Sequence, residues 1–139
     1  MADSAVSIRW TGEGLRFEAD HPSHNTFRID GDGKTSHSPV QALLLSLAGC
    51  TAADVIDILA KMRVSITNLD VQVEGNRNSE PPRYFKTIHI RYHAQGIAEQ
   101  DMSKLERAVE LSQDKYCSVF HSLRKDIEFS HEIVVDRGT

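Results

Sequence analysis

Cys50 and Cys117 are the only thiols in this 139-residue chain, and they stand sixty-seven residues apart. That spacing excludes a local CxxC redox motif, so any chemistry the pair shares has to be assembled by the fold. Persistent structural disulfides belong to oxidising compartments and to small cysteine-dense domains, and this chain is neither small nor cysteine-dense. Two uses remain open: inert thiols serving as small hydrophobes, or a reversible thiol–disulfide couple. Cys50 lies in Leu47-Ala48-Gly49-Cys50-Thr51-Ala52-Ala53-Asp54, with no Lys or Arg within one helical turn. Asp54, at i+4, raises a thiol pKa if it acts on it at all. A reactive Cys50 therefore needs a cation from elsewhere in the chain.

Other chemistry-bearing residues are weaker candidates. His89 and His93 share a strand face by parity and could clip a metal, but no third ligand is near in sequence, so the reading assigns no metal site. Asp54 and Asp57 resemble a carboxylate pair, although with Lys61 they mark the wetter face of a helix. No Walker signature, glycine-rich phosphate loop or GxSxG elbow is present, and no cofactor is implied.

The elements that must position the cysteines are legible in outline. Val6, Ile8 and Trp10 alternate with polar residues, as do Leu15, Phe17 and Ala19, with Thr11-Gly12-Glu13-Gly14 as the turn between them. Phe27 and Ile29 predict a third strand that ends in the loop Asp30-Gly31-Asp32-Gly33 through His37, whose tip is expected to be mobile. Ser38 as N-cap, Pro39 at the first helical position and Gln41 as capping-box partner predict a helix from there to Met62. Its first half is apolar nearly all round, the pattern of a buried helix. So much apolar surface needs more cover than one small sheet provides, which an obligate dimer would supply. Ile66 to Val73 and Phe85 to Tyr92 read as two longer strands joined across Asn76 to Pro82. A second helix begins near Asp101, with Leu105, Ala108, Val109 and Ser112 on one face. It continues, or breaks and restarts, through Cys117 to Leu123. A last strand alternates Ile127, Phe129, His131, Ile133 and Val135. Strands, helix, strand pair, helices and strand in that order predict an α+β fold in one domain, residues 1–139.

With 40% hydrophobic and 26% charged residues, the composition is that of an ordinary globular protein. The net charge of −4 gives no basic footprint for nucleic acid and no attraction to an anionic membrane. The first residues lack the pattern of a secretory leader, and the longest apolar run, Ala42–Ala48, is far short of a membrane span. The expected location is cytoplasmic.

The segment Ser38-Pro39-Val40-Gln41-Ala42-Leu43-Leu44-Leu45-Ser46-Leu47-Ala48-Gly49-Cys50-Thr51-Ala52-Ala53-Asp54-Val55 resembles the central helix of the OsmC/Ohr family of osmotically inducible and organic hydroperoxide resistance proteins. Ala108 to Val119, which contains Cys117, resembles that family's second cysteine segment, and the strand pair between them fits as well. The resemblance spans nearly the whole chain. It implies an OsmC-like fold, antiparallel sheets wrapped around long buried helices in an intertwined homodimer, with active sites at the subunit interface. It also implies a thiol-dependent peroxidase of the oxidative stress response. Cys50 would attack an organic hydroperoxide and become a sulfenic acid; Cys117 would resolve it to a disulfide; a dithiol reductant would reopen the pair. An apolar lining from Leu44, Leu47 and the partner subunit would favour alkyl hydroperoxides.

The family's activating arginine on an early strand matches Arg16, with Arg28 as the next candidate. The glutamate that orients it in the organic hydroperoxide resistance branch falls at Val40 here, beside uncharged Gln41. That departure keeps a second reading open, a non-catalytic protein of the same fold that holds a small apolar ligand at the dimer interface.

Overall fold

The computed structural model describes residues 3–19 and 25–136. Their contacts divide the chain into two compact units, 1–43 and 44–139.

In the first unit, short strands β1 (Arg9–Trp10), β2 (Arg16–Ala19) and β3 (Phe27–Asp30) form an antiparallel sheet in that order. The β1–β2 turn needs glycine: Gly12 and Gly14 hold φ of 93° and 46°, where a Cβ is strained. The Trp10 indole donates to the Gly14 carbonyl across it at 3.0 Å. Val6 and Ile8 precede β1 and are exposed, so the first strand is shorter than its alternation predicts. The loop after β3 is braced from within. Asp30 accepts from the amide of Asp32 (3.1 Å) and from the amide and hydroxyl of Thr35 (3.0 and 2.8 Å).

Helix α1 (Pro39–Lys61) starts with the predicted reciprocal cap: the Ser38 amide donates to Gln41 Oε1 and the Gln41 amide to Ser38 Oγ, at 2.9 and 3.2 Å. It ends in a Schellman turn. Arg63 takes a left-handed φ of 60°, its amide bonds the Ala60 carbonyl, and the Val64 amide reaches back to Leu59. Val64 and Leu59, which that turn brings together, are both buried.

The second unit is built on a three-stranded sheet ordered β4 (Asn68–Arg77), β5 (Phe85–Gln95), β6 (Glu128–Asp136). β4 and β5 form the predicted antiparallel pair, with Val71 opposite Tyr92. β6 runs parallel to β5, so this sheet is mixed, not antiparallel as the resemblance implies. Side-chain alternation carries no information about strand direction. The parallel pairing requires a crossover, and the helical region between β5 and β6 provides it. Helix α2 (Met102–Leu111) follows a single 3₁₀ turn and buries Leu105, Ala108 and Val109, with Ser112 one turn on. The chain then makes one π-helical turn, Ser112–Tyr116, breaks at Cys117, and restarts as α3 (Ser118–Ser122).

The core of this unit lies on β5, where Ile88, Ile90, Tyr92 and Ala94 are buried in alternation, and on a narrow stripe of α1. That stripe is Leu47, Thr51, Val55 and Leu59, one residue every turn. Leu45 and Ile56 remain 45% and 44% exposed, so a single chain does not bury α1 all round as its composition predicts. The helix, 23 residues long with an 18-residue stretch of mean hydropathy 1.8, also has the length and composition to cross a bilayer, although its longest apolar run does not. Hydrogen bonds from its middle, through Thr51 and Asp54, tie it to the rest of the unit as a core helix.

Candidate thiol site

Two different backbone features bring the cysteines together. Cys50 rides on α1 next to the buried stripe and is half-buried, whereas Cys117 is completely buried. The π-helical turn is what delivers Cys117. The extra residue in that turn lets the Cys117 amide bond the Ser112 carbonyl at 2.7 Å, five residues back. The backbone then leaves the helix at φ −73°, ψ 102°, and Cys117 becomes the N-cap of α3, its sulfur accepting from the Phe120 amide at 3.4 Å.

Both cysteines are free thiols. Their sulfurs and a carboxylate oxygen of Asp54 all lie within 4.8 Å of one another. A disulfide needs about 2.05 Å between sulfurs, so the two thiols are near each other but not bonded. The same three atoms are two sulfurs and one carboxylate oxygen, one donor fewer than the four of a closed zinc site. Burial pushes the Cys117 thiol up to about 11; the Phe120 amide opposes this, while a hydrogen bond with Cys50 and the charges of Cys50 and Asp54 add to it. A thiol so placed is protonated at neutral pH.

Beside the sulfurs runs a buried polar chain that sequence reasoning does not anticipate. Ser112 Oγ donates to Asp54 Oδ2 at 2.9 Å. Thr51 Oγ1 lies 2.8 Å from Ser112 Oγ and 2.7 Å from the Tyr92 hydroxyl, and Gln113 Nε2 donates to that hydroxyl at 3.0 Å. A hydroxyl has one proton to give. Ser112 spends its own on Asp54, so it accepts from Thr51; Thr51 in turn accepts from Tyr92. Every donor therefore points along one direction, Gln113 to Tyr92 to Thr51 to Ser112 to Asp54. Burial raises the Tyr92 pKa, which keeps its phenol a donor. Among the described residues, no buried side-chain nitrogen or oxygen lacks a partner.

Asp54 is thus not part of a wet face. Asp57 pairs with Lys61 at 3.0 Å in solvent, while Asp54 turns inward to Ser112. The signal available in sequence was its place at i+4 from Cys50 on the same helix side, and charge alone hid it. Leu47, expected to line a substrate pocket, is fully buried in the core instead. An apolar groove of about 650 Å³ does lie along α1, lined by Ala52, Ala53, Ile56, Ala60, Ile66 and Leu69 among others, and it does not include Cys50.

Arg16 belongs to the first unit, on β2, where its guanidinium pairs with Glu13 Oε2 at 3.0 Å. Arg28 is engaged with Glu18 at 3.2 Å. His89 hydrogen-bonds Ser130 and Glu132 across to β6, and among the described residues it joins no metal-competent cluster with His93.

The comparisons with known proteins agree with this architecture. Protein YhfA of Escherichia coli is 34% identical over 129 residues, covering 92% of this chain and 95% of that one. The crystal structure of a hypothetical protein from Aquifex aeolicus is 27% identical, with a TM-score of 0.80 over 99% of this chain and all of the other. The organic hydroperoxide resistance protein OhrB of Bacillus subtilis shares the fold, with a TM-score of 0.62 at 16% identity over 95% of this chain and 99% of that one. The family model described as OsmC-like protein matches residues 31–132, and the chain belongs to that OsmC-like family.

Proposed function

We propose that the protein is a thiol-dependent peroxidase that reduces organic hydroperoxides, with Cys50 as attacking thiol and Cys117 as resolving thiol. The observation that carries this reading is the meeting of two free thiols, from helices sixty-seven residues apart, within 4.8 Å. Their unequal burial divides the roles. Cys50 is the more accessible sulfur, and Cys117, with a pKa near 11, makes a poor first nucleophile but is ideally sited to resolve. Cys50 attacks the O–O bond as it gives up its proton, becoming a sulfenic acid and releasing an alcohol. Cys117 then displaces water from that sulfenic acid to form the disulfide, which protects Cys50 from over-oxidation. An external dithiol returns both sulfurs to thiols.

Arg16 is the proposed activating cation, held by Glu13. Membership of the family and the exposed apolar residues on α1 support a homodimer in which a second copy covers that helix. A cytoplasmic setting, one domain over 1–139, and no membrane or nucleic-acid partner complete the reading.

The apolar groove along α1 supports one alternative, a non-catalytic protein that holds a small apolar ligand. Thiol titration before and after one equivalent of cumene hydroperoxide separates the two. Loss of both thiols, with a Cys50–Cys117 disulfide in the peptide map and one equivalent of alcohol formed, is the expected result. Two intact thiols after excess peroxide would overturn the peroxidase reading.

A further inference from the structure

Resting on the peroxidase reading, we infer that Asp54 is the proton acceptor of the thiol pair, taking the proton from each cysteine as it reacts and returning it to the oxygen that leaves. Asp54 Oδ2 already receives the last donor of a chain of hydroxyls whose protons all run toward it. That arrangement holds the side chain in place with Oδ2 as an acceptor. A carboxylate oxygen lies within 4.8 Å of both sulfurs, a distance spanned by one water molecule. No ion pair among the described residues includes Asp54, so no side-chain cation there neutralises it. The titratable groups that face it are Cys50, Cys117 and Tyr92. The charge of Asp54 pushes the Cys117 thiol up, so electrostatic activation is the wrong role for it. Accepting their protons is the role that suits it.

The steps balance. Cys50–SH gives its proton to Asp54 as its sulfur bonds the terminal oxygen of ROOH; the O–O bond breaks, sulfur is oxidised, and RO⁻ takes the proton from Asp54 to leave as ROH. Cys117–SH then gives its proton to Asp54 as its sulfur bonds the Cys50 sulfur; the S–O bond breaks, and hydroxide takes that proton to leave as water. Asp54 ends as it began. The second step depends on it most, because Cys117 is buried and is scarcely ionised without a base.

The test is disulfide formation by the full-length reduced protein with diamide, a thiol oxidant that does not require peroxidase activity, beside consumption of cumene hydroperoxide. Asp54→Asn keeps an oxygen for Ser112 and removes the base. The expected result is a rate of disulfide formation at pH 7 lower by roughly a hundredfold, recovering as the pH rises toward the thiols' own ionisation. Asp54→Glu, which restores the carboxylate but adds a methylene, is expected to be faster than Asp54→Asn; a packing role predicts the opposite order. In the unaltered protein, the diamide rate should keep a pH-independent limb below pH 8. An Asp54→Asn rate within twofold of the parent, Asp54→Glu slower than Asp54→Asn, or a strict tenfold rise per pH unit from 5 to 9 in the parent would each overturn the inference. Failure of the parent to consume cumene hydroperoxide refutes the peroxidase reading alone, since the diamide comparison still reports on Asp54.

Discussion

Replacing Thr51 by Val removes the middle hydroxyl of the buried donor chain with little change of shape. Two hydrogen bonds go with it, to Tyr92 at 2.7 Å and Ser112 at 2.8 Å. The two ends of the break are not equivalent. Ser112 still donates to Asp54 and loses only something to accept. Tyr92, fully buried, keeps Gln113 as donor but has no acceptor for its own proton. An orphaned buried donor costs about 1–3 kcal/mol and each lost bond about 1 kcal/mol net, so Thr51→Val should destabilise the protein by about 3 kcal/mol. Tyr92→Phe removes the orphan at its source; Thr51 continues to donate to Ser112, and the cost should be about 1–2 kcal/mol. The double variant never contains an unpaired phenol. Urea unfolding of the parent, both single variants and the double should therefore give a double cost smaller than the sum of the singles by about 1 kcal/mol or more. Additivity within about 0.3 kcal/mol would refute the directed chain and with it the argument that holds Asp54 as an acceptor.

Three further outcomes follow from groups elsewhere in the chain. The Cys117 thiol has its pKa raised from 9.0 to about 11 in the folded protein, so the folded state keeps a proton that the unfolded state has lost. Its contribution is present below pH 9 and is lost as the pH rises to about 11; the reduced parent should lose more stability across that window than Cys117→Ala, and parallel unfolding curves would exclude the shift. Asp30 has the opposite sign. The Thr35 and Asp32 hydrogen bonds lower its pKa from 3.8 to about 2, so its stabilisation is full above pH 4 and lost as the pH falls through 2. Asp30→Asn should flatten the acid limb of a thermal-melt series, and an unchanged limb would remove Asp30 from the account. Gly75 of β4 has no room for a side chain, since a Cβ there would lie 2.6 Å from the Phe85 ring. Gly75→Ala should cost about 1–3 kcal/mol in urea unfolding through overpacking, and a neutral effect would mean that the ring moves freely.

Much of the local structure was legible because it depends on nearest neighbours along the chain. The Ser38–Gln41 cap, the glycine turn before β2, the strand pair around Val71 and Tyr92, and the buried face of α2 all follow from spacing and turn chemistry. The parallel direction of β6 did not follow, because inward and outward alternation reads the same in either direction. Nor does the polar, glycine-rich composition of the 31–37 loop reveal that Asp30 gathers three hydrogen bonds within it.

The sequence by itself determined that there are two thiols, that they lie in separate helical regions, and that Cys50 has no Lys or Arg within a helical turn. Their chemistry was decided in three dimensions. The π-helical turn after Ser112 sets Cys117 against Cys50, and nothing in Ser112-Gln113-Asp114-Lys115-Tyr116 announces an i to i−5 hydrogen bond. Asp54 and Asp57 are the same residue type three positions apart, yet one faces solvent and the other ends a buried donor chain. What separates them is Thr51, Tyr92 and Ser112, drawn from three elements, because a hydrogen bond is specified by the meeting of atoms and not by their order in the chain.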